Sequence, residues 1–183
     1  VLLGAGLAMG ATTGVESSYG FVAAWISIVG AGMVVVMPAA MGVAMDALSM
    51  LKRELPDVVV GAGTVLTVEQ MRQAIDVGAD FLVTPGTPAH MADALARAPL
   101  PVVPGAASPT ELLALLARGF RVCKLFPATA VGGLAMIKGV AGPIPALKLC
   151  PPGGITAATA SDYLTQPNVV CIGGSWMVPK AWV

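Results

Sequence analysis

The stretch PVVPGAASPTELLALLARGFRVCKLFP (residues 101–127) contains one complete strand–helix–strand pattern. A short β-branched run at Val102–Val103 is followed by a helical pattern over Pro109–Leu116 and by a second apolar run at Val122–Phe126. Ser108 precedes the helical segment and is a preferred N-cap residue. Two strands joined through a helix predict a parallel pair with a right-handed crossover.

The same unit recurs on both sides of this stretch. Strand starts are spaced by 23, 21, 20, 25 and 22 residues. The six predicted strands are Val58–Val60, Phe81–Thr84, Val102–Val103, Val122–Phe126, Leu147–Cys150 and Val169–Ile172. The five predicted helices between them are Val68–Val77, Pro88–Ala96, Pro109–Leu116, Leu134–Val140 and Ala157–Leu164, and their predicted capping residues are Thr67, Thr87, Ser108 and Thr156. This alternation predicts an α/β protein with a parallel sheet.

An open doubly wound sheet and a closed (β/α)8 TIM barrel both fit the alternation, and the strand count favours the barrel. Met33–Met37 supplies a seventh strand, Val1–Met9 an eighth, and Tyr19–Val29 the helix between them. Eight units of about 22 residues account for about 176 of the 183 residues. We therefore expect one barrel domain over residues 1–183 that lacks a complete C-terminal helix, since barrels of this type typically exceed about 200 residues.

Composition narrows the function classes. Ten basic and ten acidic residues leave no net charge, and the basic residues are scattered, which argues against nucleic-acid binding. Hydrophobic residues make up 56% of the chain, so a packed core is expected and disorder is excluded. Mean hydropathy is +0.83, and Ser17–Met45 holds no charged residue. Glycine and proline interrupt that segment and no basic residue precedes it, so we expect no membrane span. Three cysteines without CxxC spacing predict reduced, buried thiols in a cytoplasmic protein.

Lys124 is the residue with the clearest chemical potential. If Val122, Lys124 and Phe126 share one face of their strand, Lys124 points into the barrel beside an aromatic ring. Burial disfavours an ammonium and lowers its pKa. A lysine that is neutral near pH 7 is the nucleophile that forms a Schiff base with a carbonyl. A snorkelling or ion-paired lysine at a strand end is the alternative.

Two glycine pairs follow the last two predicted strands. Gly153-Gly154 follows the predicted strand Leu147–Cys150, and Gly173-Gly174-Ser175 follows the predicted strand Val169–Ile172. These are the seventh and eighth strands in chain order. Loops at these positions of such barrels often bind phosphate through backbone N–H groups. Each pair alone is typical of a turn, and the two together favour a phosphate site.

Other loops are less specific. Thr64 follows strand three and is suited to hydrogen-bond a carboxylate, or simply belongs to a turn. Thr84-Pro-Gly86 and Pro104-Gly105 are predicted turns with no function. His90 is expected to be a solvated surface residue. No cluster of ligands has metal-binding spacing, so we expect no metal and no cofactor.

Together, these motifs resemble the 2-keto-3-deoxy-6-phosphogluconate (KDPG) aldolase family, which includes 4-hydroxy-2-oxoglutarate (KHG) aldolases. The matching pieces lie over residues 57–179: VGAGTVL (60–66), VTPG (83–86), PVVPGAASPTEL (101–112), CKLFPA (123–128), CPPGGI (150–155) and CIGGSWMVP (171–179). The resemblance implies a (β/α)8 barrel, usually a homotrimer, and a metal-independent class I aldolase. Such an enzyme cleaves a phosphorylated keto acid to pyruvate and glyceraldehyde 3-phosphate in the Entner–Doudoroff pathway.

The resemblance also implies roles for individual residues. Lys124 matches the Schiff-base lysine, and Thr64 matches a threonine at the carboxylate end of pyruvate. Pro85 and Phe126 match pocket walls. The phosphate-binding loops are matched by Pro152, Gly153, Gly154, Gly174 and Ser175.

The first fifty residues match this family poorly. Counting back without gaps from Glu54, Val36 occupies the position of the family's Glu acid/base and Ala40 that of its carboxylate-binding Arg. Pro152 replaces a Thr, which removes a hydroxyl and a backbone N–H.

Three hypotheses accommodate these departures. The first is a working KDPG aldolase whose first fifty residues depart from the natural chain. The second is a KHG aldolase acting on an unphosphorylated substrate. The third is a catalytically inactive trimeric barrel that serves as a scaffold or binding protein. Under all three we expect a protein that binds neither nucleic acid nor a membrane.

Overall fold

The computed structural model describes residues 41–54, 56–174 and 176. Within these ranges, helices and strands alternate along the chain. The helices are α1 (Met41–Glu54), α2 (Val68–Asp76), α3 (Ala89–Leu95), α4 (Pro109–Leu116), α5 (Gly133–Ala141) and α6 (Ala160–Leu164). The strands are β1 (Gly61–Ala62), β2 (Phe81–Val83), β3 (Val102–Val103), β4 (Gly105–Ala106), β5 (Val122–Leu125) and β6 (Lys148–Cys150).

The strands form two parallel three-stranded sheets, β1-β2-β3 and β4-β5-β6. Neighbours in space are also neighbours in sequence, so the described strand order contains no reversal. Only Pro104 separates β3 from β4. The α/β class and the parallel sheets predicted from the sequence are therefore confirmed. The predicted segments Met33–Met37, Val1–Met9 and Tyr19–Val29 lie outside the described residues.

Helix starts follow local capping chemistry at two of the four predicted sites. Ser108 forms a capping box, in which its hydroxyl accepts from the Glu111 N–H and the Glu111 carboxylate accepts from the Ser108 N–H. Thr67 accepts from the Gln70 N–H in the same way. The predictions at Thr87 and Thr156 were wrong, because α3 begins after Pro88 and α6 begins after Thr159.

The core consists of two clusters of buried apolar side chains. One lies around the β1-β2-β3 sheet and includes Val60, Leu82 and Met91. The other lies around the β4-β5-β6 sheet and includes Leu125 and Ile137, together with Leu149. Phe120 packs against both clusters. Burial of these side chains removes apolar surface from water, the main favourable term in folding.

Two of the six predicted strands differ from the observed ones by more than one residue, and Gly105, which was predicted to lie in a turn, begins the strand β4. The first begins at Gly61 rather than Val58, and Val59 is exposed. The cause is local: the Asp80 carboxylate accepts the Val60 N–H at 2.6 Å, and ladder pairing with β2 starts at Gly61 opposite Phe81. In the last, Val169–Ile172, Val169 forms an isolated bridge with Leu149, and the segment is not a regular strand.

Other expectations concern what the chain lacks. Among the described helices, none combines the length and the apolar character required to cross a bilayer. Within the same ranges, no three His, Cys, Asp or Glu side chains cluster as metal ligands would. The three cysteines are free, as expected, although Cys123 alone is fully buried while Cys150 and Cys171 are half-buried. His90 is exposed, also as expected.

Candidate active site

Lys124 is buried in the middle of the second sheet. Its residue is only 6% exposed, and its Nζ lies 4.4 Å from the centroid of the Phe126 ring. Phe126 lies directly after β5, and its N–H donates to the Ala106 carbonyl at 3.0 Å, so the extended pairing continues and places residues 124 and 126 on one face. Burial lowers the pKa of Lys124 below its usual range, and the charge of Cys150 partly opposes that shift. The amine is therefore more readily available as a neutral nucleophile than an exposed lysine would be.

Thiols surround Lys124 on its own strand and on β6. Cys150 pairs in register with Lys124, and its thiol donates a hydrogen bond to the Cys171 sulfur. That hydrogen bond raises the pKa of Cys150 and lowers that of Cys171. Burial raises the pKa of Cys123 to about 12. The raised pKa values keep Cys123 and Cys150 in their neutral thiol forms near neutral pH.

Pro85 lies against the strand on the other side of Lys124. Gly105 of β4 pairs in register with Lys124. A Cβ atom added to Gly105 would overlap the backbone carbonyls of Thr84 and Pro85, so only glycine fits there. This close approach places Pro85 next to β4, the strand that pairs with Lys124.

The two glycine loops meet beside Phe126. Pro152 forms a parallel bridge with Gly173, and a Cβ at Gly153 would lie 3.5 Å from the Phe126 ring. The Pro152 carbonyl accepts the Ala128 N–H at 2.9 Å, which anchors the loop to the segment after β5. Phe126 thus connects the Lys124 amine to the glycine loop.

The glycine loop presents backbone donors. Gly153 and Gly154 have φ of +102° and +79°, a region that favours glycine. Their N–H groups have no hydrogen-bond partner among the described residues. Unpaired N–H groups on a bare backbone can bind an anion. Gly174 packs beside the indole nitrogen of Trp176.

Thr64 has a strained backbone and an unsatisfied hydroxyl. Its φ is +58°, which is rare outside glycine. Its Oγ1 is buried and has no partner in the part of the chain that the structure describes. No hydrogen bond connects it to Lys124. A buried polar atom normally has a partner, so this hydroxyl is available to a ligand.

The structure describes eight of the eleven predicted site residues. Lys124, Phe126 and Gly153 form one cluster, Pro152 and Gly154 adjoin it, and Pro85 lies one strand away. Thr64 stands apart at the end of β1. Gly174 lies next to the bridge between the glycine loops, while Val36, Ala40 and Ser175 lie outside the described residues.

Sequence reasoning missed Thr84, which it assigned to a turn with no function. Thr84 is fully buried and its hydroxyl accepts the Gly105 N–H at 2.8 Å. The available signal was a threonine that ends an apolar strand directly before a proline, because a hydroxyl buried at that position must find a partner.

Comparison with known proteins agrees with this geometry. The family model "KDPG and KHG aldolase" matches residues 25–183. The KHG/KDPG aldolase of Escherichia coli strain K12 is 39% identical over 136 residues, which is 74% of this chain and 64% of that protein.

Two solved structures are also similar. The KDPG aldolase of Legionella pneumophila, with pyruvate captured at low pH as a covalent carbinolamine intermediate, has a TM-score of 0.74 and 41% identity over 76% of this chain and 68% of its own. The Zymomonas mobilis ZM4 enzyme, solved with 3-phosphoglycerate, has a TM-score of 0.72 and 37% identity over 76% of this chain and 66% of its own.

The chain spans somewhat less than two thirds of the length of the curated relatives, 64% for the Escherichia coli protein. The family match nevertheless covers most of the sequence and extends to residue 25, into the region that resembles the family least. This chain belongs to the KDPG and KHG aldolase family.

Proposed function

We propose that this protein is a class I aldolase that cleaves 2-keto-3-deoxy-6-phosphogluconate to pyruvate and glyceraldehyde 3-phosphate. The observation that carries the proposal is the burial of Lys124 on β5 beside the Phe126 ring. Because burial lowers its pKa, the amine is more often neutral at physiological pH and can attack a ketone carbonyl. The relative from Legionella pneumophila, whose structure holds pyruvate as a carbinolamine, supports the same chemistry.

The proposed reaction begins when Nζ of Lys124 attacks the C2 carbonyl of the substrate. The carbinolamine loses water to give an imine, which acts as an electron sink. The C3–C4 bond then breaks as a proton leaves the C4 hydroxyl, and glyceraldehyde 3-phosphate departs. Protonation of the resulting enamine and hydrolysis of the imine release pyruvate and regenerate the amine. This scheme uses a lysine amine where other aldolases use a metal, so it requires no cofactor.

We assign the remaining roles from the resemblance and the observed geometry. The unpaired Thr64 hydroxyl is suited to the pyruvate carboxylate, while Pro85 and Phe126 form walls of the pocket. The free N–H groups of Gly153 and Gly154 are suited to the phosphate, with Gly174 and Ser175 from the second loop.

We also infer a closed (β/α)8 barrel of one domain over residues 1–183. Strand order that follows the chain, with parallel pairing throughout the described residues, supports a barrel over a doubly wound sheet, whose order reverses at a switch point. A homotrimer, implied by the resemblance, is measurable by sedimentation. The cytoplasmic location remains a prediction that rests on the reduced thiols.

A second candidate activity is the cleavage of unphosphorylated 4-hydroxy-2-oxoglutarate. Pro152 favours it, since proline provides neither a hydroxyl nor an N–H for a phosphate. Comparing kcat/KM for the two substrates distinguishes the two activities. The inactive-scaffold hypothesis rests on Val36 and Ala40, which offer neither a carboxylate nor a guanidinium.

The test is incubation with pyruvate and borohydride, followed by peptide mass analysis. We expect a reduced pyruvyl adduct on the Lys124 peptide. Lys124→Met should abolish it, while Lys148→Met should retain it, because Lys148 is an exposed lysine on the neighbouring strand. Absence of the adduct from the unaltered protein would overturn the aldolase proposal in favour of an inactive barrel.

A further inference from the structure

A closed ring of hydrogen bonds holds Gly105 next to Lys124. Thr84 lies directly after β2 and is fully buried. Its Oγ1 accepts the Gly105 N–H at 2.8 Å and lies 2.8 Å from the Thr87 Oγ1. The Thr87 hydroxyl in turn donates to the Gly105 carbonyl at 2.9 Å. Both polar backbone groups of Gly105 are therefore bound by threonine hydroxyls.

The direction of each bond in this ring follows from a count of protons. A hydroxyl carries one hydrogen, and Thr87 donates its hydrogen to the Gly105 carbonyl. Thr87 must therefore accept in its bond with Thr84, so Thr84 is the donor there. Each hydroxyl then donates once and accepts once, an arrangement in which hydrogen bonds strengthen one another.

The ring lies where the chain passes from the first sheet to the second, between the end of β3 at Val103 and the start of β4 at Gly105. The Thr84 N–H donates to the Val103 carbonyl at 3.3 Å, at the end of the β2–β3 ladder. After Pro104 the chain pairs with β5 instead, so the Gly105 N–H needs a different partner on the β2 side. The Thr84 hydroxyl supplies that partner and connects β2 to β4.

Gly105 transmits this restraint to Lys124. The two residues pair in register, and the Lys124 N–H donates to the Pro104 carbonyl at 2.8 Å. The Thr84 and Pro85 carbonyls lie so close to Gly105 that no side chain fits between them. Loosening the ring would free β4, the strand that pairs with Lys124. Water could then reach the buried side of the Lys124 amine.

We propose that Thr84 and Thr87 are positioning residues for Lys124, and that their hydroxyl ring keeps the amine in its dry, aligned position through Gly105. This inference rests on the proposed function only in giving Lys124 a catalytic role. The ring itself touches neither the substrate nor the reacting atoms.

The groups that surround Lys124 make its titration a usable measurement. Cys123 flanks it on β5, and Cys150 faces it from β6 with Cys171 behind. Gly105 and Ala106 face it from β4 and carry no titratable group. Removing a hydroxyl from the ring changes none of these titratable groups.

The test compares Thr84→Val, which removes the hydroxyl and keeps the shape, with Thr84→Ser, which restores it. The control is Asn168→Leu, which breaks another buried hydrogen bond, from Asn168 Nδ2 to the Ile137 carbonyl at 2.9 Å. The Lys124 amine is titrated by trace labelling with acetic anhydride from pH 6 to 10, and the Lys124 peptide is quantified by mass spectrometry. Imine trapping with pyruvate and borohydride is measured in parallel.

We expect Thr84→Val to raise the midpoint of Lys124 labelling by at least about half a pH unit, because water re-enters its surroundings. Imine trapping should slow by about 10- to 100-fold, as expected when a reacting group is displaced. Thr84→Ser and Asn168→Leu should keep the midpoint of the unaltered protein.

A Thr84→Val protein that loses as much stability as Asn168→Leu, yet keeps the midpoint, would show that the ring is structural only. If Thr84→Val does not fold, Thr87→Val is the milder substitution, since Thr84 still accepts the Gly105 N–H, and the same shift is expected. A shifted midpoint in a protein that never forms an adduct would overturn the aldolase function and leave the positioning role standing.

Discussion

At the scale of single residues, the chain contains the amine that the proposed reaction needs, but not the carboxylate and guanidinium that the family resemblance implies. Lys124 and Phe126 have the burial and proximity expected of a Schiff-base centre. The ungapped count from Glu54 predicts that Val36 and Ala40, both aliphatic, occupy the positions of the family's Glu and Arg. We therefore expect imine formation to be retained, because it depends mainly on the amine. We expect cleavage of the C3–C4 bond to be slow, because it depends on a proton acceptor.

Restoring the carboxylate should separate these two steps. We expect Val36→Glu to raise kcat for aldol cleavage by about 10²–10⁴-fold, the usual contribution of a positioned acid/base. The control is Val36→Gln, which has the same size and no ionisable group. Equal kcat values for the two variants, measured by pyruvate release, would show that residue 36 does not reach the reacting atoms.

Among single residues, sequence reasoning succeeded where one side chain determines the outcome. Lys124 was identified from the alternation of its own strand, and the Phe126 contact followed from the same alternation. Thr84 was missed because the partner of its hydroxyl, the Gly105 N–H, lies 21 residues away in sequence. The positive φ of Thr64 was also missed. Neither the Gly105 partner nor the crowding behind it leaves a local pattern.

At the scale of elements, the sequence predicted α2 to α5 to within one residue at each end, but it did not predict α1 (Met41–Glu54). The helix α4 has the predicted bounds because its capping box lies within four consecutive residues. The start of β1 was misplaced, since the apolar run Val58–Val60 favours a strand while ladder pairing begins at Gly61. A Cβ at Gly61 would overlap the Phe81 ring, a contact that no count of β-propensity contains.

The glycine loop after β6 is the element that should determine substrate preference. We expect Pro152→Thr to raise kcat/KM for the phosphorylated substrate by about tenfold relative to the unphosphorylated one, because it adds a hydroxyl and an N–H at charge-assisted hydrogen-bond strength. Pro152→Val is the matched control, since it restores the N–H without the hydroxyl.

The loop backbone should tolerate both changes, because the Pro152 carbonyl remains bound to the Ala128 N–H. The measurement is kcat/KM on both substrates for all three proteins. An unchanged ratio in Pro152→Thr would place the phosphate elsewhere than at this loop.

At the scale of the whole molecule, the burial of Lys124 affects stability as well as reactivity. Folding moves the amine from water into the core, where its charged form is disfavoured. Its pKa is therefore lower in the folded than in the unfolded state. At pH values between the two, the unfolded chain binds one more proton than the folded protein, so the free energy of unfolding increases with pH.

This linkage gives the stability a pH dependence of known sign. The destabilisation is complete below the folded-state pKa, decreases by at most about 1.4 kcal/mol per pH unit above it, and vanishes above the unfolded value of about 10.4. The buried thiol of Cys123 acts in the opposite direction at high pH, because folding raises its pKa. The contribution of Cys123 cancels when the free energies of unfolding of two proteins that both contain it are subtracted.

Urea unfolding of the unaltered protein and of Lys124→Met between pH 6 and 9 isolates the lysine. We expect Lys124→Met to be the more stable protein at pH 6, and its advantage to shrink as the pH rises toward 9 once the folded-state pKa is passed. Lys148→Met is the matched control, since it removes an exposed lysine from the neighbouring strand. A stability advantage of Lys124→Met that is constant with pH would mean that Lys124 titrates alike in the folded and unfolded states. The advantage would then come from better packing of methionine and not from removal of a buried charge.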